Sequence, residues 1–160
     1  MKKQVSPVIP QSAGMVDISQ KEITLRVAIA VATIQFEAEA FESLLKKGSP
    51  KGDIFETAKV AGIMAAKSTP QIIPMCHPLN LTKVHIRFDV DKKVKKIDVI
   101  SEVHCFSQTG VEMESLCAVS VAALTIYDMM KWADKSITIT GVKLLEKRGG
   151  KSGDFKRGKK

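Results

Sequence analysis

Between Glu22 and Phe36, small and apolar residues alternate: Leu25, Val27, Ile29 and Val31 fall on one side, Thr24, Arg26, Ala28 and Ala30 on the other. A period of two is that of a strand, whose side chains point to opposite faces in turn. The pattern then becomes helical. Over Glu37 to Lys47, Phe41, Leu44 and Leu45 recur at helical spacing, and Gly48 supplies a C-terminal stop. Ser49-Pro50-Lys51-Gly52 reads as a turn. Asp53-x-x-Glu56 has the spacing of a capping box and opens a second helix, with Ile54, Ala58, Ala61 and Ala65 as its inward stripe. Ser68-Thr69-Pro70 ends that helix, and Ile73 to Pro78 forms a loop bracketed by prolines.

Alternation returns from Leu81 to Val90. Val84, Ile86, Phe88 and Val90 face one way; Lys83, His85, Arg87 and Asp89 face the other. Asp91-Lys92-Lys93 turns the chain into a return strand, Val94 to Phe106. Thr109-x-x-Glu112 reads as another capping box, opening an alanine-rich helix that reaches about Ala133 and is apolar on more than one side. Ser136 to Leu145 is the last strand. The order β-α-α-β-β-α-β, with one helix more than the split βαβ plan, predicts a ferredoxin-like α+β fold: an antiparallel sheet with helices packed on one face. Residues 1–14 read as a flexible arm, 15–148 as a single domain, and 149–160 as a Gly/Lys-rich loop and tail.

Composition narrows the possibilities. At 160 residues, 44% hydrophobic and 26% charged, the chain suits one globular domain with a real core. No apolar run comes near the ~20 residues of a membrane span, and no secretory leader is evident, so a cytoplasmic protein away from membranes is expected. Cys76, Cys105 and Cys117 are odd in number and widely spaced, against a disulfide framework. His77, His85 and His104 lack zinc-ligand spacing, so no metal site is expected.

The formal charge is +8, and from Lys143 to Lys160 eight basic residues face two acids. Such an edge is either a solvated tail or an attractor of anions. A nucleic-acid partner is disfavoured, because aromatic content is only 5% and the strands lack the RNP pattern. Gly150-Lys151-Ser152 resembles the end of a phosphate-binding loop, but Leu145 stands where the first glycine belongs.

Several segments can carry chemistry. Lys51-Gly52-Asp53 puts a cation beside a helix N-terminus, whose unpaired N–H groups attract anions; an ordinary turn lysine is the competing interpretation. Arg26, among small neighbours, is either a surface residue or an anion ligand. In Cys76-His77-Pro78, His77 can act as acid, base or phosphate donor, whereas Cys76 alone is more often a buried apolar group. Glu112 has a capping role available and Glu114 has none. Asp128 and Lys131 share a helix face, either as a surface pair or as a lysine held by a carboxylate for proton transfer. Glu114 and Asp128 lie roughly 21 Å apart at ~1.5 Å per helical residue, too far for one compact pocket. Either the ligand is long, or opposite ends of this helix meet in one site through different subunits; the second is preferred.

Six segments in series carry a family resemblance: Met15-Val16-Asp17-Ile18-Ser19; Lys51-Gly52-Asp53 with Ala61-Gly62-Ile63-x-Ala65-Ala66-Lys67; Ile73-Pro74-Met75-Cys76-His77-Pro78-Leu79; Thr109-Gly110-Val111-Glu112-Met113-Glu114; Leu124-Thr125-Ile126-Tyr127-Asp128-Met129 with Lys131; and Gly149-Gly150-Lys151-Ser152-Gly153-Asp154-Phe155. Together they resemble the cyclic pyranopterin monophosphate synthase family, also called molybdenum-cofactor biosynthesis protein C. The resemblance implies a lyase that rearranges a cyclised, GTP-derived triphosphate made by a radical SAM enzyme, releasing pyrophosphate. It implies Asp128, Lys51 and Lys131 as catalytic residues. Met75, Cys76, His77, Met113 and Glu114 would contact substrate, joined by Glu112, Arg26 and Lys151. It also implies a homohexamer, a trimer of dimers with sites between subunits, and no cofactor beyond a possible Mg2+ carried on the triphosphate. The alternative is a non-enzymatic anion- or nucleic-acid-binding module.

Overall fold

The structure, a computed structural model, describes residues 14–158. The arm expected over 1–14 lies outside the described residues except for Gly14, as do Lys159 and Lys160 of the basic tail. Among the described residues five strands and four helices follow one another: β1 (Thr24–Gln35), α1 (Ala38–Lys47), α2 (Ile54–Lys67), α3 (Thr69–Ile72), β2 (Leu81–Asp91), β3 (Lys96–Ser107), α4 (Glu112–Met130), β4 (Thr138–Arg148) and β5 (Phe155–Lys156). The sheet order is β2-β3-β1-β4-β5, antiparallel at every pairing. Its first four strands have the ferredoxin-like arrangement that the alternation predicts.

β1 lies at the centre. Its Arg26, Ala28, Ala30, Ala32 and Ile34 are all buried on the helix-covered face. Ala30 and Ala32 leave room for α4, which meets them with Ala118, Ala122 and Ala123 in one core cluster. The inward face of the β2–β3 hairpin is the one its alternation gives, with Ile86, Val99 and Val103 buried. The opposite face of the sheet leaves Leu25 and Phe106 exposed. Two register shifts let β4 follow β1, and Gly141, at φ 62, sits at the second.

The helix ends follow local chemistry. Asp53 caps α2 by accepting the Glu56 N–H at 2.9 Å, and Gly48 closes α1 in a positive-φ conformation. Two expectations about these helices need correction. The inward stripe of α2 runs through Ile54, Ala58, Gly62, Ala65 and Ala66, while Ala61 is only partly covered. α2 ends at Lys67 with Ser68 as its cap, as Ser68-Thr69-Pro70 predicts, and Pro70 then stands in the first turn of the short α3, where a missing N–H is harmless. The Thr109/Glu112 capping box does not form: Val111 is the cap residue of α4, with no side-chain bond, and the helix ends at Met130. Thr138 to Arg148 carries the last long strand beyond Leu145, and β5 adds a two-residue edge from the segment read as tail.

By length and composition α4 also falls within the range of a bilayer span, at 19 residues and mean hydropathy 1.3. That differs from the sequence expectation. Its place here is the core, against β1, β3 and α2.

α2 and α4 approach closely at Gly62, where a Cβ would collide with Ile86 Cδ1 and lie 2.9 Å from the Ala118 carbonyl oxygen. Gly62→Val should therefore destabilise the protein by about 2 kcal/mol, as overpacking of a tight core does, measured by urea denaturation. An unchanged midpoint would contradict the close approach. Glu114 is 3% exposed in this core, and burial raises its carboxyl pKa to about 6 from 4.5. The folded state therefore binds a proton more readily than the unfolded chain. This contribution is fully present below about pH 4.5 and is lost as pH rises through 6. Glu114→Gln should remove that loss and stabilise the protein at pH 8 by on the order of 1–2 kcal/mol, with little effect at pH 4.5. Equal effects at both pH values would exclude a titrating Glu114.

Candidate functional site

The groups singled out from the sequence assemble at the two ends of α4. At the C-terminal end, Ser49 donates its hydroxyl to the Met129 carbonyl at 2.8 Å and accepts the Lys51 N–H at 3.2 Å. These bonds pin the 49–52 turn to the end of α4 and bring Lys51 to Asp128. Gly52, at φ 112, completes the turn. Asp128 then binds two cations at once: Lys51 Nζ lies 2.6 Å from Oδ2, and Lys131 Nζ lies 2.7 Å from Oδ1. All three side chains are about half exposed.

The Lys131 bond, and next the Lys51 bond, hold the Asp128 carboxyl down at about 2. Asp128 in return raises the Lys131 pKa. At neutral pH the group is thus one carboxylate flanked by cations, with Lys131 a proton donor rather than an acceptor. The predicted Lys51, Asp128 and Lys131 are brought together.

At the other end lies a cavity of about 860 Å³ between the start of β1, the β3–α4 connection and the loop after β4. Arg26 belongs to it and is 8% exposed, not a surface residue. Its Nε and Nη2 donate to the carbonyls of Ser107 at 3.0 Å and Gln108 at 3.1 Å. Its Nη1 is turned toward Gly150, where a Cβ would come within 3.2 Å. The loop itself is drawn close to β1: Thr24 donates to the Gly149 carbonyl at 2.7 Å, and a Cβ at Gly149 would collide with the Leu25 carbonyl. Glu112 and Lys151 also line this cavity.

Lining residues that were not singled out from the sequence as site residues include Lys21, Gln108, Lys147 and Arg148. Lys21 and Gln108 stand in irregular segments without periodicity. Lys147 and Arg148 were counted only as members of a basic tail, yet they end β4 in register with Ala28 and Val27. Five basic side chains in this cavity meet two acidic ones, Glu22 and Glu112. An anion is therefore the fitting occupant.

Met75, Cys76 and His77 lie in the loop before β2, with Cys76 and His77 partly covered and Met75 exposed. Leu79 fixes this loop by packing on the cluster of Ala28, Val103, Cys105 and Val111, just ahead of α4. Burial, and then the charge of Glu114, push the Cys76 thiol up, which argues against a thiolate nucleophile. Met113 and Glu114 follow Glu112 in the first turn of α4, so the loop and the cavity share this end of the helix. Lys51, Asp128 and Lys131 do not join them, since almost the whole length of α4 intervenes. Among the described residues no cluster of His, Cys, Asp and Glu suited to a metal ion occurs.

Comparison with known proteins identifies the family. Residues 15–150 match the model of the MoaC family. The chain is 49% identical to the cyclic pyranopterin monophosphate synthase of Magnetococcus marinus, over 91% of this chain and 90% of the relative. It is 50% identical to the protein of that name from Desulfatibacillum aliphaticivorans (88% and 89% covered) and 51% identical to that of Trichodesmium erythraeum (88% and 85%). Five of the six sequence segments lie within the matched span, and the sixth begins in it at Gly149. With so much of its length in common, the chain belongs to the MoaC family.

Proposed function

We propose that the chain is a cyclic pyranopterin monophosphate synthase of molybdenum cofactor biosynthesis. It takes (8S)-3′,8-cyclo-7,8-dihydroguanosine 5′-triphosphate, rearranges it to cyclic pyranopterin monophosphate and releases pyrophosphate. One observation carries the reading: two lysines share the Asp128 carboxylate in a chain about half identical to relatives bearing that name. A radical SAM cyclase acting on GTP supplies the substrate, and both steps belong in the cytoplasm.

The roles follow from charge. Arg26 and Lys151, with Lys21 and Lys147, neutralise the phosphate chain, because pyrophosphate departure requires its developing charge to be met by fixed cations. Mg2+, where present, arrives on the triphosphate as part of the substrate. Lys131, kept protonated by Asp128, donates the first proton and takes one back only after the substrate displaces it from the carboxylate. Lys51 shares that carboxylate, and with His77 it faces the charge that develops as phosphate leaves. Met75, Cys76, Met113 and Glu114 hold the remainder of the nucleotide.

Neither end of α4 holds all of these groups. The reading therefore joins the Lys51–Asp128–Lys131 end of one subunit to the Arg26 cavity of another, in a homohexamer built as a trimer of dimers.

The test is pyrophosphate release from the cyclised nucleotide, followed with a coupled assay. Native protein should release it in step with pterin formation, whereas a binding module would release none. Lys51→Ala and Lys131→Ala should each lower turnover by about 10²-fold or more, with thermal midpoints unchanged, as expected when a positioned proton-transfer or charge-stabilising group is lost. Near-native rates in both variants would refute the assignment.

A further inference from the structure

Glu112 opens α4 but does no capping. Its carboxylate folds back over Gly110, where a Cβ would collide with both carboxylate oxygens. From there Oε1 lies 3.5 Å from Lys147 Nζ, in a pair whose side chains are each 29% exposed. Lys147 Nζ also donates to Ser152 Oγ at 3.3 Å, within the glycine loop. Lys147 pairs with Ala28 on β1, so it rises from the sheet on the same face as Arg26, roughly 7 Å further along at ~3.3 Å per residue.

Three elements thus converge on one ammonium: the start of α4, the end of β4 and the loop beyond it. We propose that Glu112 is a positioning residue. Across the bare Cα of Gly110 its carboxylate holds Lys147 against Ser152, so that this cation stands ready beside Arg26 for the phosphate chain of the substrate. The assignment rests on the phosphorylated substrate proposed above and replaces direct substrate contact as the role of Glu112.

The physical reason lies in the lysine stem. Four methylenes leave an unrestrained ammonium many positions, and a ligand must order it on binding. A partner that holds it beforehand removes that requirement. A simple charge argument gives the opposite sign, since a carboxylate lining an anion site repels the anion, and its removal would tighten binding. The direction of the effect therefore decides between the two.

The experiment is calorimetric titration of the full-length protein with pyrophosphate as the probe. Lys147→Ala should weaken binding by about 10-fold, a usual loss for one charge-assisted contact. Glu112→Gln and Gly110→Ala should each weaken it by about 5-fold, the latter because the added methyl displaces the carboxylate. In the Lys147→Ala background the Glu112→Gln effect should shrink to less than about twofold, as expected for residues acting through one another. With the cyclised nucleotide, Glu112→Gln should raise KM by a similar factor while kcat stays within about twofold of native. Thermal melts identify any variant that fails to fold, and Glu112→Gln carries the test if Gly110→Ala does.

Tighter pyrophosphate binding by Glu112→Gln, an undiminished effect in the Lys147→Ala background, or no pyrophosphate binding by native protein overturns the proposal. Loss of kcat at constant KM also overturns it. If native protein binds pyrophosphate but does not turn over the nucleotide, the proposed function fails, and the binding cycle alone decides the role of Glu112.

Discussion

Helix α4 has its inward side buried from Glu114 to Met130, and this packing organises the rest of the molecule. Alanines on β1 and on α4 let helix and sheet approach closely, and Gly62 lets α2 do the same from the other side. Its outward side, along Met113, Leu116, Ser120 and Leu124, carries no charged group. Its chemistry must emerge at the ends, and there the charged groups gather. The Ser49 bond to the Met129 carbonyl brings Lys51 to one end; the tie between Thr24 and Gly149 brings the glycine loop to the other. The packing that gives the fold its core thus divides the functional groups into two sets.

The two sets differ in electrostatic character. At the C-terminal end, one carboxylate with two lysines forms a compact group, about half exposed. Ion pairs this exposed add little stability, so their value lies in presentation. Asp128 fixes two ammonium groups in known places and keeps Lys131 protonated. At the N-terminal end the cations are distributed over β1, β4 and the loop after it, as suits an extended anion. Arg26 is the most firmly held, because two backbone carbonyls and near-complete burial fix its plane. Each set is incomplete for a reaction that must both move protons and release pyrophosphate, which is the physical ground for joining subunits in the proposed mechanism.

Much of the fold was legible in the sequence where side chains repeat with a period. The β2–β3 hairpin, with Val84, Ile86 and Phe88 turned inward, has the face its alternation gives. Asp53 caps α2 as its spacing predicts. Sequence reasoning failed where spacing has two meanings. Thr109-x-x-Glu112 has the form of a capping box, but Gly110 frees the Glu112 carboxylate to fold back toward Lys147, a partner 35 positions away that no local pattern reveals. Arg26 was open in the sequence between a surface residue and an anion ligand, because its carbonyl partners, Ser107 and Gln108, come from a distant stretch of chain. Lys147 and Arg148 were hidden by their neighbours: in a basic stretch no single cation stands out until strand register assigns each to a face. Asp128 and Lys131 were legible as a pair from helical spacing. Lys51 was grouped with them by family resemblance alone, and the 49–52 turn anchored to α4 supplies the physical contact.

The central claim is that one site draws on both ends of α4 through different copies of the chain. Co-expression of two differently tagged inactive variants, Arg26→Ala and Lys131→Ala, with purification through both tags, tests it most directly. Sites assembled between subunits would be intact wherever an unaltered Arg26 from one chain meets an unaltered Lys131 from another. Turnover should then recover to about a quarter of native under random symmetric assembly. Mixed assemblies as inactive as either variant alone would contradict the claim.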